Sequence, residues 1–216
     1  MSEKKLTDIT NYTYYLVMFF LPLSLKMDNI FLILLFISIL FNKKKITTSN
    51  LLYYFLAFSS FTFFNGVLNG FFIDEKENFL RLLPLIVVPF CLDNISYKIK
   101  IKGLYFLIIS IIIIQLNSVY GILNYYYFTE GKKYALKNYS KVNEILNFER
   151  PYLGFFSALN IIISFYFFEK KKWLSIFIAV SSLLLIITIS ARLAIIVVFF
   201  TLLIALFSKL TKRNIV

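Results

Sequence analysis

An apolar run from Trp173 to Ser208 contains a single charged residue, Arg192. The run has 36 residues, and one continuous helix of that length would measure about 54 Å. The hydrocarbon core of a bilayer is only about 30 Å thick. The run therefore predicts two membrane spans joined by a tight turn at Ser190-Ala191-Arg192. Arg192 is expected at the membrane surface, because an unpaired charge at the membrane centre is costly.

The composition of the whole chain favours the same environment. Of the 216 residues, 60% are hydrophobic and 16% are charged, and the mean hydropathy is +0.79. A soluble domain has about half of its residues apolar and about a quarter charged. A water-soluble fold cannot bury so many apolar residues. We therefore predict an all-α membrane protein, in which helices satisfy the backbone polar groups internally.

Eight apolar stretches are candidate spans, although the second and fourth are well short of the roughly 20 residues that a span needs. They are Asn11–Leu25, Ile30–Phe41, Leu51–Val67, Phe79–Leu92, Gly103–Tyr125, Pro151–Phe168, Trp173–Ser190 and Leu193–Ser208. Pro151 is expected at a first helical position, where its missing N–H is harmless. The basic N-terminus lacks a small-residue cleavage site and is interpreted as leading into the first span. The prediction is a polytopic bundle of about eight transmembrane helices, forming one transmembrane domain over residues 1–216.

The distribution of basic residues predicts the orientation. With eight spans, 14 of the 23 basic residues fall on one side, at both termini and in three clusters: Lys43–Lys45, Lys98–Lys102 and Lys170–Lys172. The other side receives the connections Lys26–Asn29, Leu68–Asn78, Phe128–Arg150 and the turn at 190–192. Together with Arg81 at the start of the fourth span, this side has 9 basic and 7 acidic residues. By the positive-inside rule, the basic side is the cytoplasm and both termini lie there.

The net charge of +12 does not indicate a nucleic-acid partner. The basic residues form short clusters between apolar runs and do not form one continuous basic face. The chain has one cysteine, Cys91, and no histidine. One cysteine excludes an intramolecular disulfide, and the lack of histidine argues against a zinc site. Cys91 is interpreted as a small core residue, and the sequence predicts neither a metal nor a cofactor.

Three arginines lie at the predicted outer ends of spans: Arg81, Arg150 and Arg192. The chain otherwise prefers lysine, with 19 lysines against 4 arginines. The planar guanidinium binds phosphate with two parallel hydrogen bonds, and its charge does not titrate away. Three arginines that converge on one face would suit a pyrophosphate. The alternative is that each arginine contacts lipid headgroups or pairs with a carboxylate such as Glu149 or Glu77.

Other polar residues have a structural and a functional interpretation. The span residues Gln115, Asn117, Asn124 and Asn160 are expected to form hydrogen bonds between helices, with lining of a substrate path as the alternative. The acidic residues Asp74, Glu75 and Glu77 are expected in a solvated outer loop, with a role as bases as the alternative. No pairing of a nucleophile with a base and no glycine-rich phosphate loop is visible, so catalytic residues stay unassigned.

Three segments follow one another in the second half of the chain: "NFERPYLGFFSALNIIISFYFF", the basic turn "EKKKW" and "ITISARLAIIVVFFTLLIALF". Together they resemble the O-antigen ligase and O-antigen polymerase family, and "RLLPLIVVPF" is similar to an earlier span of that family. The resemblance covers roughly residues 79–208. Arg150, which precedes Pro151, and Arg192, in the Ser-Ala-Arg turn, match the arginines that engage the donor pyrophosphate in this family.

The resemblance implies transfer of a glycan on the outer face of the bacterial inner (cytoplasmic) membrane. The donor would be a glycan on undecaprenyl pyrophosphate, and the acceptor either lipid A–core or another lipid-linked glycan. It implies no nucleotide donor and no metal. Family members continue further, and the ligases carry a functional histidine in a large outer loop. This chain is therefore expected to be the N-terminal portion of that architecture and inactive alone. A lipid-linked glycan transporter or flippase and a non-enzymatic membrane subunit are the alternatives.

Overall fold

The computed structural model describes residues 3–42, 46–68, 87–128, 139–169 and 171–213. Within these ranges all regular secondary structure is α-helical, which confirms the predicted all-α class. The described residues form nine helices: α1 (Glu3–Leu23), α2 (Leu25–Phe41), α3 (Asn50–Leu68), α4 (residues 87–93), α5 (Tyr97–Phe128), α6 (Tyr139–Leu146), α7 (Arg150–Phe167), α8 (Lys172–Thr188) and α9 (Arg192–Arg213).

The helices differ in whether they reach the length of a membrane span. Among the described residues, one helix is long and apolar enough to cross a membrane, over Tyr97–Tyr125 in α5. Shorter apolar stretches of the described helices are Met27–Phe41, Leu52–Phe61, Lys172–Thr188 and Arg192–Leu203. These lengths agree with an all-α protein but do not establish eight spans. The eight-span bundle therefore stays a prediction.

The junction between α1 and α2 lies earlier than predicted. The helical conformation is interrupted at Ser24, whose backbone is extended (φ −159°, ψ 109°). Residues 26–29 therefore lie in the first turns of α2. The Ser24 hydroxyl accepts a hydrogen bond from the Met27 N–H at 3.5 Å, as serine does at the start of many helices. The predicted turn at 26–29 is wrong. The charged residues there end the apolar run, but the helix begins earlier, at the serine that caps it.

The predicted loop Phe128–Arg150 contains a short helix, α6, that was not predicted. It has eight residues and ends where Asn147 adopts a left-handed backbone conformation with φ 51°. Asparagine is one of the few residues that adopt this conformation readily. Residues 129–138 of the same connection lie outside the described residues. A helix this short is marginal on its own, so its formation depends on contacts with the rest of the chain.

The chain divides into two compact units, Met1–Leu107 and Ile108–Val216, and the division falls within α5. In the first unit α1, α2 and α4 pack around a core of buried side chains: Tyr14, Val17, Leu32, Leu35, Ile39, Cys91 and Ile95. Cys91 is a free thiol and only 2% exposed. This confirms its interpretation as a small core residue. The single transmembrane domain over residues 1–216 stays a prediction.

Hydrogen bonds hold the connection before α3 to the end of α4. The Asn94 side chain accepts the Thr47 N–H at 2.9 Å and donates to the Thr47 carbonyl at 3.0 Å. Asp93 Oδ2 accepts the Ser49 N–H at 2.8 Å, at the start of α3. A carboxylate in this position is favourable because the N-terminus of a helix carries partial positive charge. The connection is therefore fixed by its neighbours.

In the second unit α7 packs against both α8 and α9. The buried cluster between them combines small and branched side chains: Ala158, Ile161, Ile186, Ala194 and Val198. Small residues allow two helix backbones to approach closely, which is a common feature of helix packing in membranes. This packing brings the start of α7 next to the turn between α8 and α9.

Candidate anion-binding site

The turn between α8 and α9 is a Schellman motif. Ser190 has a left-handed backbone conformation with φ 52°. Its N–H donates to the Ile187 carbonyl at 3.0 Å, and the Ala191 N–H donates to the Ile186 carbonyl at 3.1 Å. These two bonds satisfy carbonyl groups that would otherwise be unpaired at the end of a helix. The apolar run is thus divided into two helices, as predicted, and α9 begins at Arg192.

The start of α7 lacks a capping bond from its own N-cap residue. Glu149 occupies that position, but its side chain makes no capping hydrogen bond. The helix begins at Arg150, so Pro151 is its second residue, one position later than predicted but still in the first turn. Proline has no N–H to satisfy there. The N–H of Arg150 is accepted by Asn143 Oδ1 of α6 at 3.1 Å. A side chain from a different helix therefore caps α7.

The side chain of Arg150 connects α7 to the turn. Its Nη2 donates to the Ser190 carbonyl at 2.6 Å, and the Arg192 N–H donates to the same carbonyl at 3.0 Å. Arg150 is half-buried and Arg192 is exposed. The Ser190 carbonyl is thus the point at which the two predicted arginines meet, one through its guanidinium and the other through its backbone.

The two arginines line one cavity of about 380 Å³. Its remaining lining comes from Pro151, Ser190, Ala191, Leu193 and Ala194. Binding pockets for small molecules have volumes of about 300–1,000 Å³. The cavity is therefore large enough for a phosphate or pyrophosphate group.

The cavity lies beside a very close approach of α7 to the turn. A Cβ atom added to Gly154 would lie 2.7 Å from the Ala191 Cβ and 3.4 Å from the Ala194 Cβ. A side chain larger than hydrogen at 154 would therefore push α7 away from the turn. Glycine at this position lets the Arg150 guanidinium reach the Ser190 carbonyl.

This arrangement has the chemistry of an anion site. A guanidinium forms short, charge-assisted hydrogen bonds with phosphate oxygens. Arg192 is also the first residue of α9, and the N-terminus of a helix attracts anions through its partial positive charge. The alternative from the sequence, in which each arginine contacts lipid headgroups or pairs with a carboxylate such as Glu149 or Glu77, stays a prediction. The Arg150 guanidinium bonds the Ser190 carbonyl of the turn.

Some other residues singled out in the sequence fall in a part of the chain that the structure does not describe. Arg81, the third predicted arginine, lies outside the described residues, as do Asp74, Glu75 and Glu77. No group of three or more histidine, cysteine, aspartate or glutamate side chains that could hold a metal occurs in the part of the chain that the structure describes.

The predicted hydrogen bonds between helices are present for two of the four span residues. Gln115 Nε2 on α5 donates to Ser157 Oγ on α7 at 3.0 Å and to Ser182 Oγ on α8 at 2.9 Å. Asn160 Nδ2 on α7 donates to Ser182 Oγ at 3.3 Å. Asn117 and Asn124 are exposed on α5 and do not follow this expectation. The side-chain amides of Gln115 and Asn160 thus link α5, α7 and α8.

Three polar side-chain atoms of the described residues are buried without a hydrogen-bond partner: Asn160 Oδ1, Asp28 Oδ1 and Ser59 Oγ. Asn160 is fully buried, and its Oδ1 has no hydrogen-bond partner among the described residues. Asp28, in the first turn of α2, is 6% exposed, and its Oδ1 likewise has no partner within the described ranges. Neither of these two was predicted, because Asp28 was expected in a turn and Asn160 was expected to form hydrogen bonds between helices.

Asn143 and Gly154 are the site residues that the sequence did not identify. Asn143 lies in a stretch predicted as loop, so nothing suggested that it would cap α7. Gly154 lies inside an apolar span, where a glycine is a weak sign of close helix packing. No protein family matches this chain, and neither the curated proteins nor the solved structures include a significant match to it.

Proposed function

We propose that this chain is a multi-pass protein of the bacterial cytoplasmic membrane that takes part in surface-polysaccharide assembly. It would supply the donor-binding part of an enzyme that transfers a glycan from undecaprenyl pyrophosphate to lipid A–core or to another lipid-linked glycan on the outer face. The observation that carries the proposal is that Arg150 and Arg192, from two separate segments of the resemblance, line one cavity. Both termini are cytoplasmic in this proposal, and about eight segments span the membrane.

The exposed apolar faces of α8 and α9 support placement in a membrane. Trp173 is 82% exposed, Phe177 71% and Leu193 79%. Soluble monomeric proteins rarely expose large contiguous apolar patches, which usually contact a membrane or another protein. In the proposal these faces contact lipid chains.

Arg192 is the proposed donor ligand, with Arg150 as its partner. In glycan transfer from a lipid carrier, negative charge increases on the pyrophosphate as it leaves. Positive groups placed where that charge develops stabilise the transition state. Arg192 would contact the phosphate oxygens, while Arg150 holds the turn and adds a second positive charge at the cavity.

Binding of farnesyl pyrophosphate, a short-chain lipid pyrophosphate, tests this proposal. The purified full chain is compared with its Arg192→Lys and Arg192→Ala variants in detergent, with farnesol as the uncharged ligand. We expect Arg192→Ala to bind farnesyl pyrophosphate about 10- to 150-fold more weakly, since a hydrogen bond to a charged group contributes about 1.5–3 kcal/mol. The affinity of Arg192→Lys should lie between those of the unmodified chain and Arg192→Ala, because lysine keeps the positive charge but lacks the planar guanidinium that forms two parallel hydrogen bonds.

Lys172→Ala is the matched control, because it removes an exposed positive charge at the opposite end of α8. It should bind as the unmodified chain does. Equal affinity of all Arg192 variants for farnesyl pyrophosphate would show that Arg192 only anchors the turn. The same affinity for farnesol and farnesyl pyrophosphate would show that the site does not recognise the anion.

A further inference from the structure

The short helix α6 is docked against α5 by backbone contacts. A Cβ atom added to Gly121 of α5 would collide with the Ile145 carbonyl oxygen of α6. Close by, Ser118 Oγ donates to the Leu146 carbonyl at 2.8 Å. Leu146 has no exposed surface, and Ile145 is 9% exposed. A glycine and a small hydroxyl residue of α5 thus contact the carbonyl groups of the last two residues of α6, whose side chains are buried.

The docked helix contacts the candidate site through one side chain. Asn143 of α6 accepts the N–H of Arg150, at a helix start where Glu149 makes no capping bond. Arg150 in turn donates to the Ser190 carbonyl, which also accepts the Arg192 N–H. These bonds connect α6 to the turn that carries Arg192.

We propose that Asn143 is a positioning residue for the anion site and that docked α6 is the element that holds it. This inference rests on the proposed function, because it takes the cavity between Arg150 and Arg192 to be the pyrophosphate site. Asn143 does not line the cavity and acts through Arg150. Fixing the backbone of Arg150 limits the directions in which its guanidinium can point, and this reduces the entropy lost on binding the anion.

The first measurement is ligand affinity in Asn143→Ala. Loss of the bond to the Arg150 N–H should weaken farnesyl pyrophosphate binding about fivefold, the change that corresponds to one typical hydrogen bond. Farnesol binding should not change, since a farnesyl chain does not depend on the direction of the guanidinium. If Asn143 has a purely structural role, the ratio of the affinity for farnesyl pyrophosphate to the affinity for farnesol should be the same in Asn143→Ala as in the unmodified chain.

The second measurement is hydrogen–deuterium exchange of α6, which needs no ligand. The α6 amides should exchange slowly in the unmodified chain and faster in Ser118→Ala, which removes the bond to the Leu146 carbonyl. Ser164→Ala is the matched control, because Ser164 is also buried but its hydroxyl donates within its own helix, to the Ile161 carbonyl at 2.7 Å. Ser164→Ala should change neither the exchange of the α6 amides nor the affinity for farnesyl pyrophosphate. Ser118→Ala should also weaken the binding of farnesyl pyrophosphate.

The outcomes separate this inference from the proposed function. If the unmodified chain does not bind farnesyl pyrophosphate, the proposed function is wrong and the inference falls with it. If the chain binds the ligand but Asn143→Ala binds it equally well, the inference alone is overturned. Fast exchange of α6 in the unmodified chain would also overturn it, because α6 would then not be docked.

Discussion

Ser190 combines an unfavourable backbone conformation with a central place in the candidate site. Its φ of 52° lies in the left-handed region, which costs a residue with a Cβ roughly 1–2 kcal/mol. Its carbonyl accepts hydrogen bonds from the Arg150 guanidinium and from the Arg192 N–H. Non-glycine residues in this conformation persist where the surroundings hold them, often at functional sites. At Ser190 the surroundings are the two arginines.

Replacement of Ser190 by glycine should stabilise the protein. Ser190→Gly removes the Cβ that crowds the left-handed conformation, and we expect a gain of about 1 kcal/mol in the free energy of unfolding. Thermal unfolding in detergent measures the change. Thr188→Gly is the control, since it introduces glycine at the helical end of α8 and should lower the midpoint. A lower midpoint for Ser190→Gly would mean that the turn is not a Schellman motif.

Among the elements, α7 has the largest part in assembling the site. It packs on α8 and α9 through small side chains, and its start carries Arg150. Gly154 lies one turn further along the helix, with its Cα facing Ala191 and Ala194. The closeness of this contact determines whether Arg150 can reach the turn.

A methyl group at position 154 should therefore separate α7 from the turn. Gly154→Ala gains helix propensity of about 1 kcal/mol, but overpacking costs about 1–3 kcal/mol. We expect a net loss of stability, because the opposing Ala191 Cβ is fixed to the backbone and cannot rotate away. Ala191→Gly added to Gly154→Ala should restore the thermal midpoint of the unmodified chain. A Gly154→Ala variant that is more stable than the unmodified chain would contradict the close contact.

The sequence predicted some helices more accurately than others. The apolar segments that became α7, α8 and α9 were predicted within a few residues, because long apolar runs and a proline at a helix start are local signals. The start of α2 and the existence of α6 were not predicted. The first depends on a serine cap, and the second on docking contacts from α5, which lies elsewhere in the sequence.

At the scale of the whole molecule, the basic residues predict the orientation in the membrane. Fourteen of the 23 lie on one side in the eight-span arrangement. Cytoplasmic connections of membrane proteins carry such an excess of lysine and arginine. Labelling of residues on each side of the membrane measures this orientation.

Single cysteines introduced in a Cys91→Ser background test the orientation. We expect Lys132→Cys to react with a membrane-impermeant thiol reagent added to intact cells, and Lys44→Cys, Lys100→Cys and Lys171→Cys to react only after the membrane is permeabilised. The reason is the excess of basic residues around the last three positions. Labelling of Lys171→Cys from outside would overturn the predicted orientation, and labelling of every position from outside would contradict membrane spanning.

The sequence by itself determined the helical class and the division of the Trp173–Ser208 run into two helices. Both follow from local hydropathy and from the limit that membrane thickness places on an apolar run. It also identified Arg150 and Arg192 as candidates. Only the tertiary structure decided that these arginines line one cavity, since that depends on the close contact at Gly154 and on a cap from α6. Such contacts join residues that are distant in the chain, and local composition carries no record of them.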